Sequence, residues 1–398
     1  MDWRSKLLHA APAPVGFESL APATYRGSTT VLPDLPATAN ATWRQPYSYG
    51  LYGTPTVLDL AQRIADLCGG SHTFIVPSGQ AAIALVSLAL LRPGNHVLLP
   101  ENIYGTSADL AQQYLIPMGV EADFYDAMQP LAAHIRGNTR LIWFEAPGSI
   151  TMETPDLRAQ MAEVQSANAV RSEKIVTAID DTYSSGVLLR PFDLDIDIAV
   201  QALTKYIGGH SDLLLGSVTI GAKNDAIYEA LGNTHRILGL NASPDDASLA
   251  LRGLQTLAVR LEALEKSTLQ IAKWCANHPA IETVLHPAFP TCSGHESFKT
   301  LFTGSASIFS FVLKREFLEA GLSREAAASE VANAKVAEVI SRLKLFKLGY
   351  SWGGTTSVVM AYPDTPRIQQ KYGPGLIRLG IGLEDPADLI ADLAQALS

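Results

Sequence analysis

Two apolar runs, Ile175 to Ile179 and Ile198 to Leu203, are each followed at once by polar residues: Asp180-Asp181-Thr182 after the first and Thr204-Lys205 after the second. Open α/β sheets bind their ligands outside the carboxyl ends of the strands, so an acid and an amine at these positions face one crevice. Together they suit one chemistry. A lysine amine condenses with the aldehyde of pyridoxal phosphate, and an aspartate pairs with the nitrogen of its ring. Taken alone, a lysine after a strand also fits a solvated edge, its stem lying over apolar surface.

Three further groups fit the same chemistry. Pro77-Ser78-Gly79-Gln80-Ala81-Ala82 follows an apolar strand and opens an alanine-rich helix, so backbone N–H groups at Gly79 and Gln80 can hold a phosphate; the alternative is a plain strand-to-helix turn. Tyr104 lies in Glu101-Asn102-Ile103-Tyr104-Gly105, in a loop expected to cross the carboxyl edge, where a half-buried structural tyrosine is the other reading. Arg378 sits in the apolar segment Leu376-Ile377-Arg378-Leu379-Gly380-Ile381, where a charge is costly unless paired. It needs an anion, either an internal carboxylate or a bound one.

The residues after the lysine, Gly208-Gly209-His210-Ser211-Asp212, make this block resemble the cofactor-lysine segment of the cystathionine γ-synthase and β-lyase family of Cys/Met metabolism enzymes. Within that family, Glu145-Ala146-Pro147-Gly148-Ser149-Ile150-Thr151-Met152-Glu153 and Tyr350-Ser351-Trp352-Gly353-Gly354 are similar to the bacterial β-lyase branch. The likeness runs from about Tyr47 to the C-terminus. It implies pyridoxal phosphate held by Lys205, Asp180, Thr182, Gly79, Gln80 and Thr204, with the backbone near Ala202 alongside. It also implies Tyr104 stacked on the ring and sharing proton transfer with Lys205, and Tyr49 reaching the phosphate of a neighbouring subunit. Arg378, Ser149, Ser351 and Trp352 are implied at the substrate, with Arg378 clamping the α-carboxylate.

The activity implied is β-elimination of L-cystathionine to homocysteine, pyruvate and ammonia, within methionine biosynthesis. The nearest alternatives are a γ-synthase, a γ-lyase or a broad cysteine-S-conjugate lyase of the same family. A homotetramer of dimers with shared sites is part of the same implication. The chain also departs from the family pattern. Leu51 stands where relatives place a phosphate-binding arginine, Tyr52 replaces a second arginine, and Asp181 replaces the asparagine beside the ring-binding aspartate.

The elements that must position these groups follow from periodicity. Strand candidates at Thr73 to Val76, His96 to Leu99, Arg140 to Phe144, Ile175 to Ile179, Ile198 to Leu203 and Leu213 to Ile220 alternate with helical stretches, the pattern of a mostly parallel sheet covered on both faces. Thr56 is a candidate helix cap before Val57, Leu60, Ala61, Ile64 and Leu67. From Asp246 to Ala276 one long amphipathic helix with a bend is expected, opening a second unit. Its candidate strands are Ala306 to Leu313, Thr356 to Ala361 and Leu376 to Ile381, and its helices Arg324 to Leu343 and Asp388 to Leu397.

The expected fold is α/β: a fold-type I pyridoxal phosphate enzyme, its large domain a mostly parallel seven-stranded sheet flanked by helices, followed by a smaller α+β C-terminal domain. The expected boundaries are an arm over 1–55 contacting a neighbouring subunit, a cofactor-binding domain over 56–245 and the C-terminal domain over 246–398.

Composition agrees with a globular enzyme: 398 residues, 47% hydrophobic and 17% charged. A net charge of −9 without any Lys/Arg run argues against nucleic acid as a partner. Cys68, Cys275 and Cys292 are far apart and lack a metal or redox spacing, so no metal is expected. No continuous apolar segment opens the chain, and the longest apolar run, Ala81 to Leu91, is too short for a bilayer. A cytoplasmic location is expected, with a small sulfur-containing amino acid as substrate. No G-x-G-x-x-G follows any strand candidate, which disfavours a nicotinamide dehydrogenase. The joint presence of Lys205, Asp180, Tyr104 and Arg378 argues against a non-catalytic cofactor binder.

Overall fold

A computed structural model describes residues 2–8, 19–221, 224–319, 328–363 and 365–398. They group into two compact units. The first runs to Ala146 and adds Asp156–Gly208 and Asp212–Ala258; the second takes Pro147–Pro155, Gly209–Ser211 and the chain from Val259 onward.

The first unit is built on seven strands: β1 (His72–Val76), β2 (His96–Pro100), β3 (Glu121–Tyr125), β4 (Thr139–Glu145), β5 (Val176–Asp180), β6 (Ile198–Gln201) and β7 (Gly216–Ile220). Their order across the sheet is β1-β7-β6-β5-β4-β2-β3. Strands β3, β2, β4, β5 and β6 run parallel, while β7 lies antiparallel to β6 and β1. Every residue of β2, β6 and β7 is buried, as expected of strands covered on both faces. The strand that the apolar pattern misses is β3. It forms the sheet edge and carries Glu121 and Asp123, charges suited to an unpaired edge.

The helices Gly79–Leu90 and Asp225–Leu238 pack on each other and on this sheet, closing a core that includes Leu85, Val86, Trp143, Val200, Val218 and Leu231. The helix Pro55–Cys68 has Thr54, not Thr56, at its N-cap position, and the Thr54 side chain makes no cap bond. Pro55, with its preset φ, occupies the first turn and moves the start forward. Thr56 is thereby released for another task. Its hydroxyl accepts from the Tyr25 N–H at 2.7 Å and donates to the Ala23 carbonyl at 3.0 Å, binding the N-terminal segment to this helix.

The expected helix from Asp246 to Ala276 is two helices, Pro244–Gln255 and Leu257–Ala276. The break is at Thr256, whose hydroxyl bonds the Gly253 carbonyl at 3.3 Å, and the first helix starts early because Ser243 caps it ahead of Pro244.

The second unit carries β8 (Ile281–Leu285), β9 (Ile308–Leu313), β10 (Lys347–Leu348), β11 (Val358–Ala361) and β12 (Leu376–Gly380), in the order β10-β11-β12-β9-β8. Only the β10–β11 pair is parallel. Strand β12 is central and fully buried, and Arg378 pairs in register with Met360 on one side and Ser310 on the other. Helices Leu257–Ala276, Ala328–Arg342 and Pro386–Ala396 supply the remaining apolar faces, with Ile271, Phe309, Val339, Leu379 and Leu393 in the core. The expected helix start at Arg324 lies outside the described residues.

One tight backbone approach in the first unit joins β7 to the turn after β1. A Cβ on Gly216 would meet the Ser78 carbonyl oxygen at 2.2 Å and the Gly79 nitrogen at 2.8 Å. Gly216→Ala is therefore expected to destabilise the protein by about 1–3 kcal/mol, the usual cost of overpacking, read as a lower urea midpoint at unchanged slope.

Candidate active site

Parallel pairing of β5 with β6 puts Asp180 opposite Val200, so the acid ends its strand beside the segment that leads into Lys205. Thr182 locks the two together. Its hydroxyl donates to Asp180 Oδ1 at 2.6 Å and accepts from the Ala202 N–H at 2.9 Å, while its own N–H donates to the same Oδ1 at 3.0 Å. Asp180 is half-buried. Burial pushes its carboxyl above the ordinary range, opposed by the Thr182 donors and by the positive charge of Lys205. The structure thus brings Asp180, Thr182 and Lys205 into one electrostatic site.

Lys205 follows a turn in which its N–H donates to the Ala202 carbonyl at 3.0 Å. Thr204 is occupied: its hydroxyl donates to the Leu215 carbonyl and accepts from the Leu215 N–H, each at 3.1 Å. Gly79 faces the same turn, since a Cβ there would lie 2.7 Å from the Ala202 Cβ. Ser78 caps the helix by accepting from the Ala81 N–H at 3.0 Å, and its carbonyl accepts from Ala82 at 3.1 Å. The N–H groups of Gly79 and Gln80 head the helix beyond these bonds. They are oriented as an anion-binding terminus is.

Tyr104 is half-exposed and stands just before the helix Gly105–Leu110. Two residues that sequence reasoning gave no role hold it. Its N–H donates to Glu145 Oε2 at 2.6 Å, and Glu145 is the register partner of Asp180 on the adjoining strand. Thr106 donates to Gln80 Oε1 at 2.8 Å and receives Gln80 Nε2 on its carbonyl at 3.2 Å, tying this loop to the helix head. The available signal was the position of Glu145 at the end of a strand, the same signal that marks Asp180.

Tyr49 is half-exposed and meets Tyr52 edge-on, with ring centroids 5.9 Å apart. Leu51 and Tyr52 line a cavity of about 440 Å³ walled by Trp43, Phe74 and Tyr228 of the same unit.

The second unit holds the other candidates. The Arg378 guanidinium is buried, donates to the Ser149 carbonyl at 3.2 Å and to the Tyr350 carbonyl, and lies 5.2 Å from the Tyr362 ring centroid. Trp352 packs against β12, its Cβ within 2.9 Å of where a Gly380 Cβ would be, and Ser351 precedes it. The segment that carries Ser149 is anchored at several points. Ser310 Oγ donates to the Ile150 carbonyl at 2.6 Å, and the Thr154 N–H to the Ser293 carbonyl at 3.1 Å. Buried Glu153 accepts from Thr151 and pairs with Lys371 at 3.0 Å. Sequence reasoning did not single out Glu153 and Lys371, because 218 residues separate them.

The donor set fits pyridoxal phosphate. It provides an amine, an acid with one oxygen already bonded twice by Thr182, a helix head closed to any side chain larger than glycine, and Tyr104 on a loop tied to Glu145, the register partner of that acid. Among the described residues, no group of three or more His, Cys, Asp or Glu side chains is placed to hold a metal ion, and all three cysteines are free and buried.

A model of the Cys/Met metabolism PLP-dependent enzymes matches residues 4–398, and the chain belongs to that family. Cystathionine β-lyase MetC of Escherichia coli is 37% identical over 379 residues, covering 92% of this chain and 91% of that one. An L-alanine/L-glutamate racemase of Wolbachia pipientis is 32% identical over 396 residues, covering 96% and 93%. The crystal structure of metB from Corynebacterium glutamicum superposes with a TM-score of 0.86 at 28% identity, covering 100% and 98%.

Thr182→Val keeps the side-chain shape and removes the hydroxyl. It should leave the Ala202 N–H without its acceptor, cost about 1–3 kcal/mol and speed cofactor loss during dialysis. Unchanged stability and retention would show that the bridge between the two strand ends carries no weight.

Proposed function

We propose that this enzyme catalyses β-elimination of L-cystathionine, releasing homocysteine, pyruvate and ammonia. The observation that carries the reading is the placing of Asp180 at the end of β5 within the electrostatic reach of Lys205, which follows the parallel strand β6, in a chain whose relatives include a cystathionine β-lyase.

Pyridoxal phosphate, when bound, supplies an aldehyde that takes an amine and a ring that accepts the electron pair left at Cα. Lys205 would hold it at rest, and its amine, once free, would take the Cα proton of the substrate. Asp180, fixed by Thr182, keeps the ring nitrogen protonated. The N–H groups of Gly79 and Gln80 receive the phosphate. Tyr104 covers the ring and, with Lys205, returns a proton to the sulfur as the Cβ–S bond breaks. Arg378 binds the substrate carboxylate through its guanidinium fork, already held by the Ser149 and Tyr350 carbonyls, with Ser351 and Trp352 following Tyr350 in the chain. Water completes the balance, converting the three-carbon fragment to pyruvate and ammonia.

The domain reading, an arm over 1–55, a cofactor domain over 56–245 and a C-terminal domain over 246–398, belongs to the same proposal. So does a cytoplasmic homotetramer in which Tyr49 reaches a neighbouring subunit. Among the described residues no helix is long and apolar enough to cross a membrane, which is compatible with this.

Incubation with L-cystathionine is the direct test. Pyruvate with homocysteine supports the proposal, 2-oxobutyrate with cysteine indicates γ-elimination, and racemised alanine without thiol release would transfer the site to racemase chemistry. Lys205→Ala should abolish turnover and the visible absorption of bound cofactor. Arg378→Ala should raise KM by roughly tenfold or more, the loss of a charge-assisted pair worth about 1.5–3 kcal/mol. An unchanged KM would make Arg378 structural.

A further inference from the structure

Asp181 is a fully buried acid of the first unit that the proposed chemistry leaves unused, and it directly follows one that it uses. Successive residues leaving a strand point to opposite sides. Asp180 therefore faces the site while Asp181 turns inward and is completely buried. Its N–H continues the ladder to the Val200 carbonyl at 2.8 Å. Both of its oxygens are received. Ser184 Oγ donates to Oδ1; the Gly186 N–H at 3.0 Å and Gln201 Nε2 at 3.2 Å donate to Oδ2.

Three donors converging on one carboxyl make a cradle for the charged form, whereas an acid kept neutral needs an acceptor for its own proton. The cradle is closed from behind by Cys68. A Cβ on Gly186, whose φ is +71°, would meet the Cys68 sulfur at 2.5 Å, so the loop needs glycine both for its left-handed backbone and for this contact. Gln201 Nε2 also reaches that sulfur at 3.2 Å, and Gln201 Oε1 has no partner among the described residues.

The titratable and charged groups around Asp181 are few. Asp180 opposes its ionisation; Cys68 is held as a neutral thiol by burial, against the positive charge of Arg190; Lys205 acts on Asp180. Burial and the neighbouring acid push Asp181 up to about 7, against the pull of Ser184, Gln201 and Gly186. The balance places its ionisation in the neutral range.

We propose that Asp181 is a positioning residue for the cofactor ring: its carboxylate supplies a second negative charge behind Asp180 and strengthens the hold of Asp180 on the proton of the ring nitrogen. The inference rests on the reading of Asp180 as the partner of that nitrogen. A neutral amide at this position would fill the space without contributing charge.

The test compares wild type, Asp181→Asn, Ser184→Ala and Asp180→Asn as holoenzymes, following cofactor release during dialysis and visible absorption between pH 6 and 9. In wild type the release half-life should lengthen as pH rises through about 7. In Asp181→Asn this step should vanish, leaving the faster low-pH rate throughout. Ser184→Ala, which removes one donor to the anion, should move the step upward by about one pH unit. A step that survives in Asp181→Asn overturns the proposal.

A second readout uses cofactor-free protein. The native acid ionises near 7, above its ordinary 3.8, so the folded state binds the extra proton in between. Stability from this group is fully present below the ordinary value and lost as pH rises through about 7. Asp181→Asn should flatten that slope. A flattened slope with an unchanged release step would make Asp181 a buried structural acid only, overturning the proposal. Asp180→Asn separates the underlying reading: it should weaken retention at every pH, and normal retention there would remove Asp180 itself from the ring.

Discussion

The hydroxyl of Thr182 is the smallest part of the site and the one on which its geometry turns. It donates to Asp180 and accepts from the Ala202 N–H, so the ends of β5 and β6 are held at fixed separation after the sheet ladder has stopped. A strand end otherwise has unpaired backbone groups that water satisfies in many arrangements. Here one arrangement is imposed. The Lys205 turn, the head of the helix Gly79–Leu90 and the close approach of Gly216 to Ser78 all pack outward from it. The acid and the amine are set by backbone that is itself constrained, so their positions need no help from a ligand.

Much of the candidate site was legible because its members sit where strand and loop meet. Asp180, Lys205, Gly79 and Tyr104 each follow an apolar run in the sequence, and the parallel topology converts that common position into proximity. The residues that escaped are those whose partners are distant in sequence or whose role is played by the backbone's neighbour. Glu145 supports Tyr104 through a backbone N–H, Thr106 holds Gln80, and Glu153 pairs with Lys371. Local periodicity contains no term for any of these contacts.

The same reasoning explains the differences in the elements. Strand β3 is broken by edge charges and offers no apolar run, so alternation could not reveal it. Thr56 has the residue type of a cap, yet Pro55 fixes the helix start one step ahead and leaves Thr56 to bind the segment around Tyr25. The single long helix after Pro244 was interrupted by Thr256, a residue that helical spacing tolerates and whose local bond to Gly253 favours a turn. In each case a neighbour decided between two local options that the residue alone left open.

The second unit is not a contiguous stretch of chain. It takes Pro147–Pro155 from just after β4 and Gly209–Ser211 from just after the lysine turn. Arg378 rests on the carbonyl of Ser149, and Lys371 pairs with Glu153, so two contacts of the C-terminal region are made with residues encoded far upstream. A gene segment starting at Val259 would therefore specify an unfinished body, and the two units cannot be inherited or exchanged separately at that boundary. Any recombination between relatives that preserves this unit has to carry the upstream segment along with it, which ties the history of Arg378 and Lys371 to that of Ser149 and Glu153.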